Sequence, residues 1–319
     1  MNPPAKNDPR RDMLRGVALV LFAFSASVFL PVVGFFFALF IPLPVLFFRV
    51  KRGRKTAAVI CGGSGLLMAL FLGGAGLGNT LFFGGLLLLG FLLGDGLGNA
   101  EPVDRTVLTA CGWVLGGGTV LTLFYVGLSG LNLLDFISEG IRRNLELSLA
   151  LYREMGVPAE QIDALRGVLD LLHQTLLRLL PAMIASAALF AAWASLVMGL
   201  SLLRLRGVPV ADPGPLNRWR PPDHLIWGVI ACGVLLLIPH TGLRVAALNG
   251  LFVLLTVYFF AGIAVVSFFF EKRRLPRPLR ALFYALVAIQ QPLLLVVVAL
   301  GLFDMWFNFR KLDVHPGEK

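Results

Sequence analysis

The chain has 319 residues, of which 57% are hydrophobic and 14% charged. An ordinary soluble domain carries about 25% charged residues, and one soluble core could not hide this much apolar surface, so a soluble fold is excluded. The net charge of +10 comes from short basic clusters between apolar runs, which is how membrane proteins place cytoplasmic anchors and not how a nucleic-acid-binding face is built.

The apolar runs are continuous and rich in Leu, Ala, Gly and Phe, unlike the short alternating segments of a membrane β-barrel. They predict an all-α, polytopic transmembrane helical bundle. Residues 1–12 are polar and Pro-rich, with Lys6, Arg10 and Arg11, and read as a disordered cytoplasmic N-terminus. An apolar run follows over 13–30 and resumes after Pro31 as far as 48. A signal-anchor and a tight hairpin fit this better than a cleaved leader, although Pro42 and Pro44 leave a re-entrant second half open. If both halves span, the basic clusters at 10–15 and 49–55 fall on one side, as the positive-inside rule requires. The second cluster (Arg49, Lys51, Arg52, Arg54, Lys55) is of a kind that touches anionic headgroups.

Further spans are expected at about 56–76, 79–94, 106–128, 179–203, 224–239, 245–270 and 279–303, giving eight or nine in all. They form an N-terminal transmembrane block (13–128) and a C-terminal one (179–303), with a tail at 304–319. Threading from a cytoplasmic N-terminus in a bacterial inner membrane places Arg204, Arg206, Arg218 and Arg220 inside, with Lys272, Arg273, Arg274, Arg277 and Arg280. Nine spans leave the C-terminus outside, and one re-entrant segment would reverse that. Gly74 with Gly78, and Gly112 with Gly116, have the small-xxx-small spacing that admits close helix approach. The loop 94–105 carries Asp95, Glu101 and Asp104 against Arg105 alone, an odd composition for the inside. Either its flanking spans are misassigned, or its acids meet a basic partner; misassignment or a simple solvated loop is preferred.

An extramembrane amphipathic helical hairpin is expected over 129–178. Leu134, Ile137, Ile141, Leu145 and Leu149 recur at helical spacing, with Glu139 and Arg143 on the polar side. Gly156 is placed to stop this helix and Pro158 to start the next. The second arm aligns Ile162, Leu165, Leu169, Leu172, Leu176 and Leu179 and feeds into the following span at Pro181. Its apolar stripe can rest on the membrane, cap the bundle or meet a partner, and a cap is the preferred expectation.

No catalytic pattern emerges. There is no H-E-x-x-H, and His173, His224, His240 and His315 lie in unrelated settings. Gly53-Arg54-Lys55-Thr56 lacks the earlier glycine of a phosphate loop, and Ser64 and Ser129 lack nucleophile-elbow spacing. Cys61, Cys111 and Cys232 are far apart, with no metal-ligand or disulfide spacing. No enzyme activity, cofactor or metal is expected. Polar groups inside apolar runs are better clues, because burying them costs free energy unless they are partnered. Gln290 and Gln291, beside Pro292 in the last span, and Asn249 in another, are candidates to bind a small polar solute or to join helices, the second reading preferred for the glutamines. Arg244 stands at a span's outer end, where it can face an anion or reach headgroups.

The run Gly301-Leu302-Phe303-Asp304-Met305-Trp306-Phe307-Asn308-Phe309-Arg310-Lys311 resembles the closing signature of the YybS-like family of multi-pass bacterial membrane proteins. The early apolar hairpin followed by Lys51-Arg52-Gly53-Arg54-Lys55, and the long central hairpin, are similar too. That family is held to be distantly similar to the substrate-binding membrane subunits of energy-coupling-factor vitamin transporters. The resemblance implies a helical bundle with a solute pocket near the outer face, working with a separate energising partner. Within the signature, Asp304 and Arg310 stand six residues apart around Trp306 and Asn308, an arrangement that anchors structure or docks a partner. Two functions follow as expectations. One is a transporter-like component for a small polar solute; the other is a non-transporting membrane scaffold or regulator acting through protein partners.

Overall fold

The computed structural model describes residues 9–30, 34–72, 77–130, 132–210 and 214–311. The expectations for residues 1–8, Pro31, Gly74, His315 and the end of the tail lie outside the described residues. Among the described residues there are twelve α-helices and no strand. Six are long and apolar enough to cross a membrane: α1 (Pro9–Phe29), α4 (Arg54–Leu72), α5 (Leu77–Gly98), α6 (Val103–Leu128), α8 (Ala159–Leu205) and α10 (Thr241–Lys272). Residues 9–12, read from the sequence as part of a disordered start, form the first turn of α1.

The expected eight or nine full-length spans are not reached, for local reasons. Residues 34–52 form two short helices, α2 (Gly34–Ala38) and α3 (Pro42–Arg52), broken ahead of Pro42, which opens α3. Residues 224–239 yield α9 (Leu225–Leu237), only 13 residues long. The last expected span breaks into α11 (Arg277–Ile289) and α12 (Gln291–Phe307), bent by 106° and making a seventh span only if the pair is counted as one. Pro292 does not kink a continuous helix here. It lacks an N–H and sits in the first turn of α12, where that lack costs least, while Gln290 before it is extended.

The chain folds as two compact units. The first comprises Met1–Gly118 and Ala187–Trp219, the second Thr119–Ser186 and Arg220–Lys319. In the first unit α1 leads away from its basic start and α2 with α3 lead back. Asp12 in the first turn of α1 receives Lys51 Nζ at 3.1 Å and Arg52 Nε at 2.6 Å from the last turn of α3. An acid at a helix N-terminus and bases at a C-terminus each suit the helix dipole, so this end of the hairpin is favoured locally as well as by the ion pair. The basic clusters at 10–15 and 49–55 therefore meet at one end of the unit.

Helix α5 packs on α3 along a glycine face. A Cβ on Gly90 would collide with the Pro42 carbonyl, and one on Gly94 would lie 2.7 Å from the side chain of Arg49. That close approach lets Arg49 reach Asp95: its Nε donates to Asp95 Oδ1, and Arg54 adds a 3.7 Å ion pair. Asp95, the first acid of the unusual loop, thus meets a basic partner inside its own chain. By contrast Gly78, Gly112 and Gly116 have open space where a Cβ would stand, so the small-xxx-small pairs read from the sequence mark no close contact there.

In the second unit α10 and α12 cross at near-backbone distance. A Cβ on Gly262 would meet the Val297 carbonyl and one on Gly301 the Tyr258 carbonyl, and the falling order of these partners makes the pair antiparallel. Ile226 of α9 joins Tyr258 and Val298 in the core of this unit. The hairpin arms are α7 (Leu133–Glu154), capped by Asn132 on Leu134 N–H, and the start of α8. Gly156 turns the chain at φ +79°, a conformation glycine adopts without strain. At 47 residues α8 has more than twice the roughly 20 residues that one span needs.

Candidate functional site

The strongest charge cluster of the second unit forms where α12 ends. Asn308 takes the left-handed conformation (φ 42°), its N–H bonding to the Asp304 carbonyl, and the chain turns back on the helix. The turn returns Arg310 to Asp304, whose Oδ2 accepts from Arg310 Nη2 at 2.7 Å and Nε at 3.1 Å. Arg220, just ahead of α9, places its Nε 3.4 Å from the same oxygen and donates through Nη2 to the Asn308 side-chain oxygen. Asp304 is 2% exposed and the Arg310 side chain fully buried. Asp304 Oδ1 has no hydrogen-bond partner among the described residues.

Two guanidinium groups on one buried carboxylate leave a local charge of +1, a costly arrangement unless geometry and hydrogen bonds are good. Its mechanical consequence is clear: the end of α12, the turn after it and the segment leading into α9 are tied at one carboxylate. Trp306 and Phe307 of the same signature are exposed, as rings at a lipid–water boundary are. The signature therefore divides into an inward ionic tie and an outward aromatic edge.

The candidate solute residues do not converge. Asn249 is fully engaged by helix backbone: its Oδ1 accepts from Ala182 N–H at 3.0 Å, and its Nδ2 donates to the Arg178 and Val245 carbonyls, both at 2.8 Å. In an uninterrupted helix Ala182 N–H would bond the Arg178 carbonyl. Pro181 disturbs the ladder at that point, and the Asn249 amide bridges the gap. Gln290 and Gln291 are exposed at the break between α11 and α12. Arg244 is exposed and donates to the Ile238 carbonyl at the end of α9, at 3.0 Å.

The first unit has a shallow cavity of about 290 Å³ lined by Pro102, Asp104, Arg218 and Trp219 among others. None of the candidate solute residues lines it. Among the described residues, no three His, Cys, Asp or Glu side chains are placed to hold a metal ion.

A family described as predicted membrane protein (DUF2232) matches residues 17–305. The chain belongs to that family. It is also 22% identical over 311 residues to the uncharacterised protein YybS of Bacillus subtilis (strain 168), covering 94% of this chain and 97% of the relative. No solved structure matches. The match extends across both compact units and takes in the hairpin, Arg220 and Asp304, while Asn308 and Arg310 lie just past its end. The partners missed in the sequence are Arg220 and Asp12, whereas Asp95 is singled out there without its partners Arg49 and Arg54. Arg220 is remote from Asp304 in the chain, and only the turn after α12 and the segment before α9 bring them together.

Proposed function

We propose that this multi-pass membrane protein is a non-catalytic docking protein of the bacterial cytoplasmic membrane that holds a second protein through its hairpin. The observation behind this reading is the open apolar face of the two arms. Leu147 and Leu151 of α7 and Met155 just past its end follow one another every four residues and are 58%, 60% and 77% exposed. Leu165, Val168 and Leu172 form an exposed companion stripe on α8. Scattered exposed leucines are ordinary, whereas contiguous apolar surface marks an interaction site. On α7 the stripe expected to pack is largely covered, with Leu149 buried and Ile137, Ile141 and Leu145 half-buried, and the open Leu147 and Leu151 lie outside it.

Charge chooses between lipid and protein as the occupant. From residue 135 to 170 the hairpin carries seven acids and four arginines, a net of −3, and an anionic headgroup layer attracts basic segments, not acidic ones. A partner with an apolar strip and a basic rim is the better complement. The positive-inside rule and the bacterial relative support a cytoplasmic N-terminus with the hairpin on the opposite side. The likeness to vitamin-transporter subunits supports a second reading, a component that binds a small polar solute and works with a separate energising partner. The geometry favours it less, because Asn249 is occupied by backbone and Gln290 and Gln291 are exposed.

Co-purification and native mass spectrometry of the gently solubilised protein test the proposal. A stoichiometric protein partner is expected on the wild type and absent from the Leu147→Asp, Leu151→Asp double variant, which should insert and fold normally. A retained polar metabolite with no protein partner would support the transport reading instead.

A further inference from the structure

The sequence predicts residues 279–303 as one span kinked near Pro292, and the geometry of α11 is different. Because α12 runs antiparallel to α10 and α11 is bent 106° away from α12, α11 lies across the axis of α10 near its basic end. One side of it is fixed to α10. Phe283 and Tyr284 pack edge-on against Phe270 at 5.3 and 5.8 Å, and Arg280 donates to the Phe270 and Leu275 carbonyls at 3.1 and 2.8 Å. Those bonds tie α11 to the turn that closes α10, where the Phe270 carbonyl also accepts from Leu275 N–H at 3.0 Å.

A different side is unpartnered and apolar. Leu279, Leu282, Leu286 and Ile289 follow one another at steps of three, four and three residues, which is a single helical stripe, and all are exposed. Immediately before this stripe stand four exposed cations, Lys272, Arg273, Arg274 and Arg277, against one acid, Glu271. A helix lying across a spanning helix, with an open leucine stripe and cations at one end, has the features of an in-plane helix at a bilayer surface. We propose that α11 seats on the membrane surface at the basic end of α10, its stripe in the acyl boundary and its cations on anionic phospholipid headgroups. The charge complementarity is the reverse of the acidic hairpin's, so this surface selects lipid where the hairpin selects protein.

Hydrogen exchange of the full-length protein tests this in nanodiscs of phosphatidylcholine alone and of phosphatidylcholine mixed with phosphatidylglycerol. Amides of 277–289 are expected to exchange severalfold more slowly in the anionic discs. The Arg273→Gln, Arg274→Gln, Arg277→Gln variant should lose that difference, with α10 and α12 protected as in the wild type to show that the fold persists. Equal protection of α11 in both lipids, or a difference that survives the triple substitution, would overturn the proposal.

Discussion

Asp304 is one carboxylate serving two arginines, and its energetics follow from burial more than from charge count. Removing one member of a buried ionic group costs about 3–5 kcal/mol, because the remaining charge is left without compensation. Asp304→Asn, which keeps the shape and strands two guanidinium groups, should therefore lower stability by about that amount, read from thermal unfolding in detergent. Arg220→Met should cost less, since its side chain is 25% exposed and water can reach the site. A second residue-scale case is Asn249→Ala, which would leave Ala182 N–H and the Arg178 carbonyl unmatched beside Pro181. A loss of about 1–3 kcal/mol is expected, with no effect on the affinity for any solute; a variant as stable as wild type would contradict the bridging role. The short separation of Asp304 and Arg310 made their pairing legible in sequence. Arg220 was not legible, because nothing in composition or spacing tells a distant arginine that the chain will return it to α12.

At the scale of elements, the glycines set where helices touch. Sequence spacing placed Gly112 and Gly116 on one face, yet that face has no close neighbour at either position. Spacing reports which residues share a face, and only packing reports what that face meets. The close crossings run through Gly90 and Gly94 against α3 and through Gly262 and Gly301 between α10 and α12. At Gly301 a methyl group would meet carbonyl oxygen and backbone nitrogen, neither of which can rotate away as a side chain can. Gly301→Ala should force α10 and α12 apart and destabilise the protein by about 1–3 kcal/mol, while Gly112→Ala should be neutral or mildly stabilising, helix propensity favouring Ala. Unfolding curves of the two variants provide the comparison. The helix breaks were only partly legible: hydropathy counted 31–48 and 279–303 as spans because it averages over breaks of three and one residues.

Across the whole molecule, all-helical membrane character was legible from composition alone, because no soluble core accommodates it. The hairpin was legible too, from a Gly156 that turns the chain and two periodic arms around it. Which side of that hairpin stays open was not, since Leu165 and Leu172 belong to the stripe expected to pack and are exposed. The proposed docking role requires that open face to hold another protein. Photo-crosslinking from a benzophenone residue at Leu151, with the full chain in its native membrane, addresses this most directly. A discrete protein adduct is expected, and it should disappear when Leu147 is also changed to Asp. Adducts with lipid alone, or a protein adduct indifferent to Leu147→Asp, would contradict that role.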